Sequence, residues 1–337
     1  MKIENIEKIL SSAKNKRICI IGDVMLDRYM LGDVNRISPE APVQVFDIKK
    51  SEPKLGGAAN VSLNVKTLGA NPFLIGVVGD DSEAVILKRV MKKLKQDTNG
   101  LIVENSRPTT CKTRVIADAH HLLRIDSESK SDINKDTENK ILDLLNKNAN
   151  EIDIIILQDY NKGVLTKSLI PRITKFAKTY KIKILVDPKF DNFFEYKNAF
   201  IFKPNRKELE DAFAKKAKDD NELISICKEL IKRIKCDNLV LTLGEAGIKI
   251  FKAANGNVQI DSYETRARKV ADVSGAGDTV ISTLAVCLAG GASLQDSVII
   301  SNFAAGLVVE EVGIVPIENK QLKQYILEHS SESRLTK

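Results

Sequence analysis

No C-x-x-C pair occurs in the 337 residues, and the five cysteines (Cys19, Cys111, Cys227, Cys236, Cys287) form an odd set. A disulfide framework and a zinc site are therefore not written here, and reduced thiols of a cytoplasmic protein are expected. Long apolar runs are missing too. Apolar runs such as "IIIL" at 154–157 fall far short of the roughly 18 residues a membrane span needs, so no membrane partner is expected. The opening "MKIENIEKIL" places Glu4 and Glu7 where an export signal would be apolar, with no small-residue cleavage site after it, and export is not expected. Strong charge of one sign is also lacking: Lys+Arg 52 against Asp+Glu 45 leaves +7. The densest basic piece, "KRVMKKLK" at 88–95, interleaves Val90, Met91 and Leu94 at helical spacing, which marks a solvated helix face and no nucleic-acid partner. Two common phosphate fingerprints are absent as well. No P-loop Lys-Ser/Thr follows the glycines of residues 275–277, and no G-x-G-x-x-G follows the first apolar run.

What is present is 43% hydrophobic residues, enough for a large core. Short β-branched runs alternate with longer amphipathic ones. "RICIIG" (17–22), a helix over 57–68, "FLIGVVG" (73–79) and a helix over about 82–95 come first. After residue 150 the rhythm returns with "DIIIL", a helix near 167–180, "KIKILVD", helices near 206–215 and 221–234, and "NLVLTLG". Continuous apolar strands separated by helices predict an α/β domain whose mostly parallel sheet is covered on both faces. Residues 28–50 and 109–126 instead alternate with period two, predicting antiparallel strands in a small sheet beside the main domain. "DSESKSDINKD" (126–136) reads as a surface loop before a helix at 137–147, and "HSSESRLTK" (329–337) as a linker-like tail.

The stretch "ADVSGAGDTV" (271–280) strips a turn bare between two acids, Asp272 and Asp278. Apolar residues then recur at Val280, Ile281, Leu284, Ala285, Leu288 and Ala289 until Gly290 and Gly291, so Ser274–Gly277 opens a helix. The unpaired first N–H groups and the macrodipole make such an opening an anion site, and glycine lets phosphate oxygens reach the main chain. Taken alone, the stretch reads more commonly as a plain glycine-containing helix start capped by Ser274 or Asp278.

It has company. "KLGGAANVSLNVKTLGA" (54–70) starts another helix at paired glycines, "FKPNRKELE" (202–210) sets Asn205 and Glu208 across a first helical turn, and "TLGEAG" (242–247) leaves a strand into a glycine turn. In this order the set resembles the ribokinase-type (PfkB) carbohydrate kinases, whose two signatures match "GGAAN" and "DVSGAGD", over nearly the whole chain to about residue 315. In more detail it is similar to the D-glycero-β-D-manno-heptose 7-phosphate kinases, the kinase half of bifunctional heptose-biosynthesis proteins. That likeness is carried by "GDVMLDRYMLGDVNRISPEAPVQVF" (22–46), "LGGAANVSLNVKTLGA", "QDYNKG" (158–163) and "VDPK" (186–189).

The resemblance implies a three-layer αβα domain over residues 1–320 with a β-lid at about 28–50 and 109–126, leaving 321–337 as a helix end and tail. It implies ATP and Mg²⁺ as cofactors, leaves a monovalent cation requirement open, and implies a homodimer formed through the lid. Asp278 would take the proton from the sugar hydroxyl. A carboxylate at a helix N-terminus is favoured in its charged form, which makes it a weak base, sufficient for a loose phosphoryl transition state. Gly275, Ala276 and Gly277 would form the anion hole. Asn205, Arg206, Lys207 and Glu208 match a nucleotide and magnesium segment, with Glu208 acting through the metal's water shell. Thr242, Gly244 and Gly247 resemble a loop flanking ATP, and Asn302 is a candidate near adenine, or a buried structural amide.

On the sugar side the resemblance points to Asp23, Asp27, Gly56, Gly57 and Asn60, with Arg114 and Arg124 ranked first among the lid cations (Arg36 and Lys112 are the others) for holding a sugar phosphate. Lys162 and Lys189 are alternatives for the nucleotide phosphates, and each of these cations also reads as a solvated surface charge. His120 and His121 receive no catalytic role. Val273 stands where the commonest signature has Thr, as in the heptose kinases, and the H-x-G-H motif of a nucleotidyltransferase does not occur. The sequence is then expected to be a stand-alone kinase, or one cut at the linker. The implied reaction gives heptose 1,7-bisphosphate for ADP-heptose and the lipopolysaccharide core. A kinase for another sugar or nucleoside, and an idle sugar or nucleotide sensor, are the rival readings.

Overall fold

A computed structural model describes residues 3–118, 120–254, 257–267, 270–311, 313 and 315–330. Along the chain run α1 (Ile3–Ser12), β1 (Arg17–Gly22), β2 (Val24–Ile37), β3 (Gln44–Gly57), α2 (Ala58–Thr67), β4 (Asn71–Val78), α3 (Ser82–Lys93), β5 (Leu101–Val103), β6 (Cys111–Ala117), β7 (His120–Ser127) and α4 (Lys135–Lys147). There follow β8 (Ile154–Gln158), α5 (Leu169–Tyr180), β9 (Lys183–Asp187), β10 (Ile201–Phe202), α6 (Arg206–Ala212), α7 (Asp220–Ile234), β11 (Asn238–Thr242), β12 (Ile248–Ala254), β13 (Asn257–Tyr263), α8 (Ala276–Ala289), α9 (Leu294–Val309) and α10 (Asn319–Ser330).

Among the described residues, nine strands form the main sheet in the order β13-β12-β11-β10-β9-β8-β1-β4-β5. All neighbours are parallel except β12 with β11 and with β13. The apolar run of β1 has a direct cause: Ile18 and Ile20 enter one core while Cys19 and Ile21 enter the other, so no position can be polar. The first core takes Leu10, Val65, Leu284, Val298 and Ile326 from helices on one face. The second takes Ile141, Ile173 and Leu230 from helices on the opposite face, giving three layers. Among the described residues no helix is long and apolar enough to cross a membrane.

Local chemistry sets the ends of several helices. The Asn134 side chain accepts from Thr137 N at 2.9 Å, so α4 starts two residues before the expected 137. Ala214, at φ 47°, turns the chain left-handed and ends α6 at Ala212 instead of 215. Toward the C-terminus, Leu322 and Ile326 are buried in the first core, so the expected boundary at 320 falls inside a packed helix. The rest of the expected tail, 331–337, lies outside the described residues.

The second sheet has the order β3-β2-β6-β7. Its two hairpins are antiparallel, as the alternation predicts, but β2 and β6 pair in parallel, with Leu26 opposite Cys111. The correction has a topological reason. Between β3 and β6 the chain passes through α2, β4, α3 and β5, a crossover long enough to bring β6 back in the direction of β2.

Candidate active site

Register assembles the centre. Gly22 pairs with Gln158 and Gln158 with Asp187, so the carboxyl ends of β1, β8 and β9 lie side by side, and the loops leaving them open on one edge of the sheet. Lys203, just past β10, reaches back so that its Nζ lies 3.0 Å from Asp187 Oδ1, both side chains buried. Facing this ion pair is the start of α8. Gly275 is its N-cap at φ 82°, the left-handed region that suits glycine. A Cβ at Gly277 would lie 3.6 Å from Lys203 Nζ and 3.7 Å from Asp187 Oδ2, so the bare turn sits directly above the pair. Ala276 N donates to Val273 O at 3.3 Å, which occupies one of the three expected anion-hole amides.

Asp278 lies in the first turn of α8 and is buried. Its Oδ2 accepts from Asn60 Nδ2 at 2.8 Å. Its Oδ1 accepts from Tyr160 Oη at 2.6 Å and from Gln158 Nε2 at 3.2 Å, and the same amide nitrogen donates to Asp187 Oδ2 at 3.1 Å. Burial is the main influence on its acidity and pushes it up to about 6, helped by Asp187 and opposed by the Tyr160 and Asn60 donors and by Lys203. The bias of the helix terminus toward the charged form is thus outweighed by loss of water, which makes the carboxylate a stronger base than the helix start alone implies.

A cavity of about 900 Å³ opens beside Asp278. Asp187, Lys189 and Lys203 give it a charged side, and Val270, Val273, Val280 and Val309 an apolar one. Gly275, Ala276 and Gly277 line it, as do Asn205, Glu208, Thr242, Gly244, Gly247 and Asn302. Several of these carry structural duties. Asn205 and Glu208 cap α6 reciprocally, each side chain accepting from the other's backbone N–H at 2.8 Å, while Glu208 Oε1 pairs with Lys189. Gly247 has φ 86°, and a Cβ there would meet the Tyr263 carbonyl at 2.1 Å. Asn302 Nδ2 donates to the Glu264 carbonyl, the role of a buried structural amide. Arg206 and Lys207 depart from expectation: they point outward on α6 and pair with Glu210 and Asp211. Their spacing to acids four residues on favours that surface pairing.

The expected sugar residues Asp23, Asp27, Gly56, Gly57 and Asn60 do not line this cavity, and among them Asn60 reaches Asp278. Asp23 is buried and accepts from the backbone N–H of Tyr160 (2.8 Å), Lys162 (3.0 Å) and Val164 (3.2 Å), so it shapes the loop after β8. Asp27 pairs with Arg114, whose guanidinium also lies 5.2 Å from the Tyr29 ring centre. Gly56 makes room for that pair, since a Cβ there would lie 2.1 Å from Asp27 Oδ2; Gly57, at φ 55°, caps α2 and leads to Asn60. Arg124 does not join them. It is 61% exposed on β7 and pairs with Asp126, because the period-two pattern that places Arg114 beside Asp27 puts its opposite partner on the open edge strand. Arg36 is an exposed partner of Asp47, and Lys112 and Lys162 meet on Glu128.

Sequence reasoning gave no role to Gln158, Tyr160, Asp187 or Lys203. The available signal was a polar residue placed immediately after an all-apolar strand, where ligands collect in parallel sheets.

A carboxylate beside an amide-lined helix start, above a buried ion pair at the carboxyl ends of parallel strands, defines with this fold a sugar kinase. The profile described as pfkB family carbohydrate kinase matches residues 15–320, and the chain belongs to that family. The Bifunctional protein HldE of Aliarcobacter butzleri is 42% identical over 313 residues, 93% of this chain and 65% of that protein. That of Helicobacter hepaticus is 40% identical over 323 residues, 96% of this chain and 66% of that protein. The chain thus spans just under two thirds of the length of these curated relatives. Among solved structures, Arabidopsis thaliana ribokinase complexed with ribose and ATP superposes with a TM-score of 0.72 at 17% identity, covering 93% of this chain and 98% of that one. Escherichia coli phosphofructokinase-2 in complex with fructose-6-phosphate gives 0.75 at 16%, covering 94% and 99%. These two share the fold.

Proposed function

We propose that the chain transfers the γ-phosphoryl group of ATP to the anomeric O1 of D-glycero-D-manno-heptose 7-phosphate, giving the 1,7-bisphosphate that leads to ADP-heptose and the lipopolysaccharide core. The observation that carries the chemistry is Asp278, buried, hydrogen-bonded on both oxygens and set in the first turn of α8. The choice of sugar is supported by the identity to bifunctional HldE proteins and by the segments at 22–46, 158–163 and 186–189.

In this reading ATP occupies the cavity, whose volume and mixed lining suit a nucleotide. Its phosphates lie toward Lys189, Lys203 and the first turn of α8, where oriented amides stabilise charge on the transferring group. Magnesium fits these donors as an ion that arrives with the nucleotide. Among the described residues no group of three or more His, Cys, Asp or Glu could hold a metal unaided, while Asp187 and Glu208 are separate carboxylates near a phosphate path. When bound it would neutralise phosphate charge. Asp278 takes the proton of the acceptor hydroxyl, and the lid cation Arg114, which pairs with Asp27, would hold the sugar's own phosphate. A second copy of the chain covers the outer apolar face of the lid, and the protein works in the cytoplasm.

Asp278→Asn is expected to lower kcat by roughly 10² to 10⁴ with ATP binding retained, as measured by coupled assay and calorimetry. Activity compared across heptose 7-phosphate, fructose 6-phosphate and ribose tests the sugar. A clear preference for an unphosphorylated sugar overturns the assignment.

A further inference from the structure

A carboxylate offers about four lone-pair sites, and three of those on Asp278 are taken. Among the described residues, both sites on Oδ1 are occupied, by the Tyr160 hydroxyl at 2.6 Å and the Gln158 amide at 3.2 Å, whereas Oδ2 carries only Asn60 at 2.8 Å. Tyr160 also has contacts that do not involve its hydroxyl. Its backbone N–H donates to Asp23 Oδ2, and the Lys189 ammonium lies 5.5 Å from the ring centre.

We propose that Tyr160 is a positioning residue of this kinase, which together with Gln158 saturates Oδ1 of Asp278 and leaves Oδ2 as the oxygen that receives the alcohol's proton. The inference rests on the reading of Asp278 as the base. In the step it serves, the hydroxyl proton passes to Oδ2 as the alcohol oxygen forms its bond to the γ-phosphorus. The bond from that phosphorus to the bridging oxygen breaks, and the electron pair leaves with the nucleoside diphosphate. Tyr160 transfers no proton itself, since burial and the nearby charges of Asp278 and Asp187 push its phenol well above 10. The other charged groups facing Asp278 are Asp187 at the end of β9, Lys189 beyond it and Lys203 after β10. All three remain in a Tyr160 variant, so the hydroxyl can be tested alone.

Tyr160→Phe keeps the ring and the backbone N–H and removes one donor to the charged carboxylate. The test measures kcat against pH with ATP and heptose 7-phosphate, alongside the pH titration of the ¹³C-labelled Asp278 carboxyl in the free protein. Losing a donor to the charged form raises the proton affinity, so the carboxyl midpoint and the acid limb of kcat are expected to move up by about one pH unit. Wild type then exceeds the variant about tenfold on the acid side and converges with it above pH 8, with both KM values within about threefold. An unmoved carboxyl midpoint, or a loss of kcat that is uniform across pH, overturns the role of Tyr160. If Asp278→Asn is still inactive in the same assay, the base reading survives that failure. Turnover retained in Asp278→Asn removes the base reading itself.

Discussion

With its carboxylate withdrawn from water and Asp187 close by, Asp278 titrates near 6, and this couples activity to stability. A group whose folded pKa lies above the unfolded value of 3.8 contributes stability that is complete below 3.8 and is lost as pH rises through about 6. At pH 8 the charged form therefore costs the fold up to about 3 kcal/mol. Asp278→Asn should raise the unfolding midpoint by a few degrees at pH 8, with the gain fading toward pH 4, as scanning calorimetry at the two pH values will read. The same carboxyl predicts that wild-type kcat falls on acidification through pH 6. Gly56 offers a second check on the sugar side. An added methyl would collide with Asp27 Oδ2, which holds Arg114, so Gly56→Ala is expected to raise KM for the sugar phosphate roughly tenfold with little change in KM for ATP. Among these residues Asp278 was readable because helix-start chemistry is local. The helix-surface role of Arg206 and Lys207 was not, because a basic residue beside a ligand motif looks the same in sequence whether it points in or out.

Helices and strands were legible wherever both signals, periodicity and end chemistry, coincided. The expected 57–68 and 221–234 helices appear as Ala58–Thr67 and Asp220–Ile234, bounded by Gly57 at φ 55° and by the Asp219 side chain. Strand pairing was less legible. Alternation told that residues 28–50 and 109–126 were half-exposed strands but not that β2 and β6 run in parallel, since a pleat repeats identically in either direction. The junction of β1 with β8 is the pairing on which the site depends. A Cβ on Gly22 would stand 1.9 Å from the Gln158 carbonyl oxygen, a backbone atom that cannot step aside. Gly22→Ala should therefore cost about 1–3 kcal/mol in urea unfolding and reduce kcat by displacing Gln158 and Tyr160 from Asp278.

Seen whole, the molecule leaves apolar side chains on the lid that neither core uses: Leu123 is 58% exposed and Ile125 51% on the edge strand β7, and Ile37 and Ile48 are exposed on the β2–β3 hairpin. An open edge bearing such residues invites pairing, which supports the proposed dimer. Ile125→Glu is expected to shift the protein to monomers in sedimentation while the thermal midpoint of the main domain stays within a few degrees. The sequence alone determined the layered α/β architecture and the opening of α8, because strand apolarity, helical period and glycine at a bare turn are properties of neighbouring residues. Only the tertiary structure decided which polar groups gather around Asp278. Asn60, Gln158, Tyr160, Asp187 and Lys203 come from four separate stretches of chain, and it is sheet register, rather than spacing, that brings them together, while the burial this creates raises the proton affinity of the acid between them.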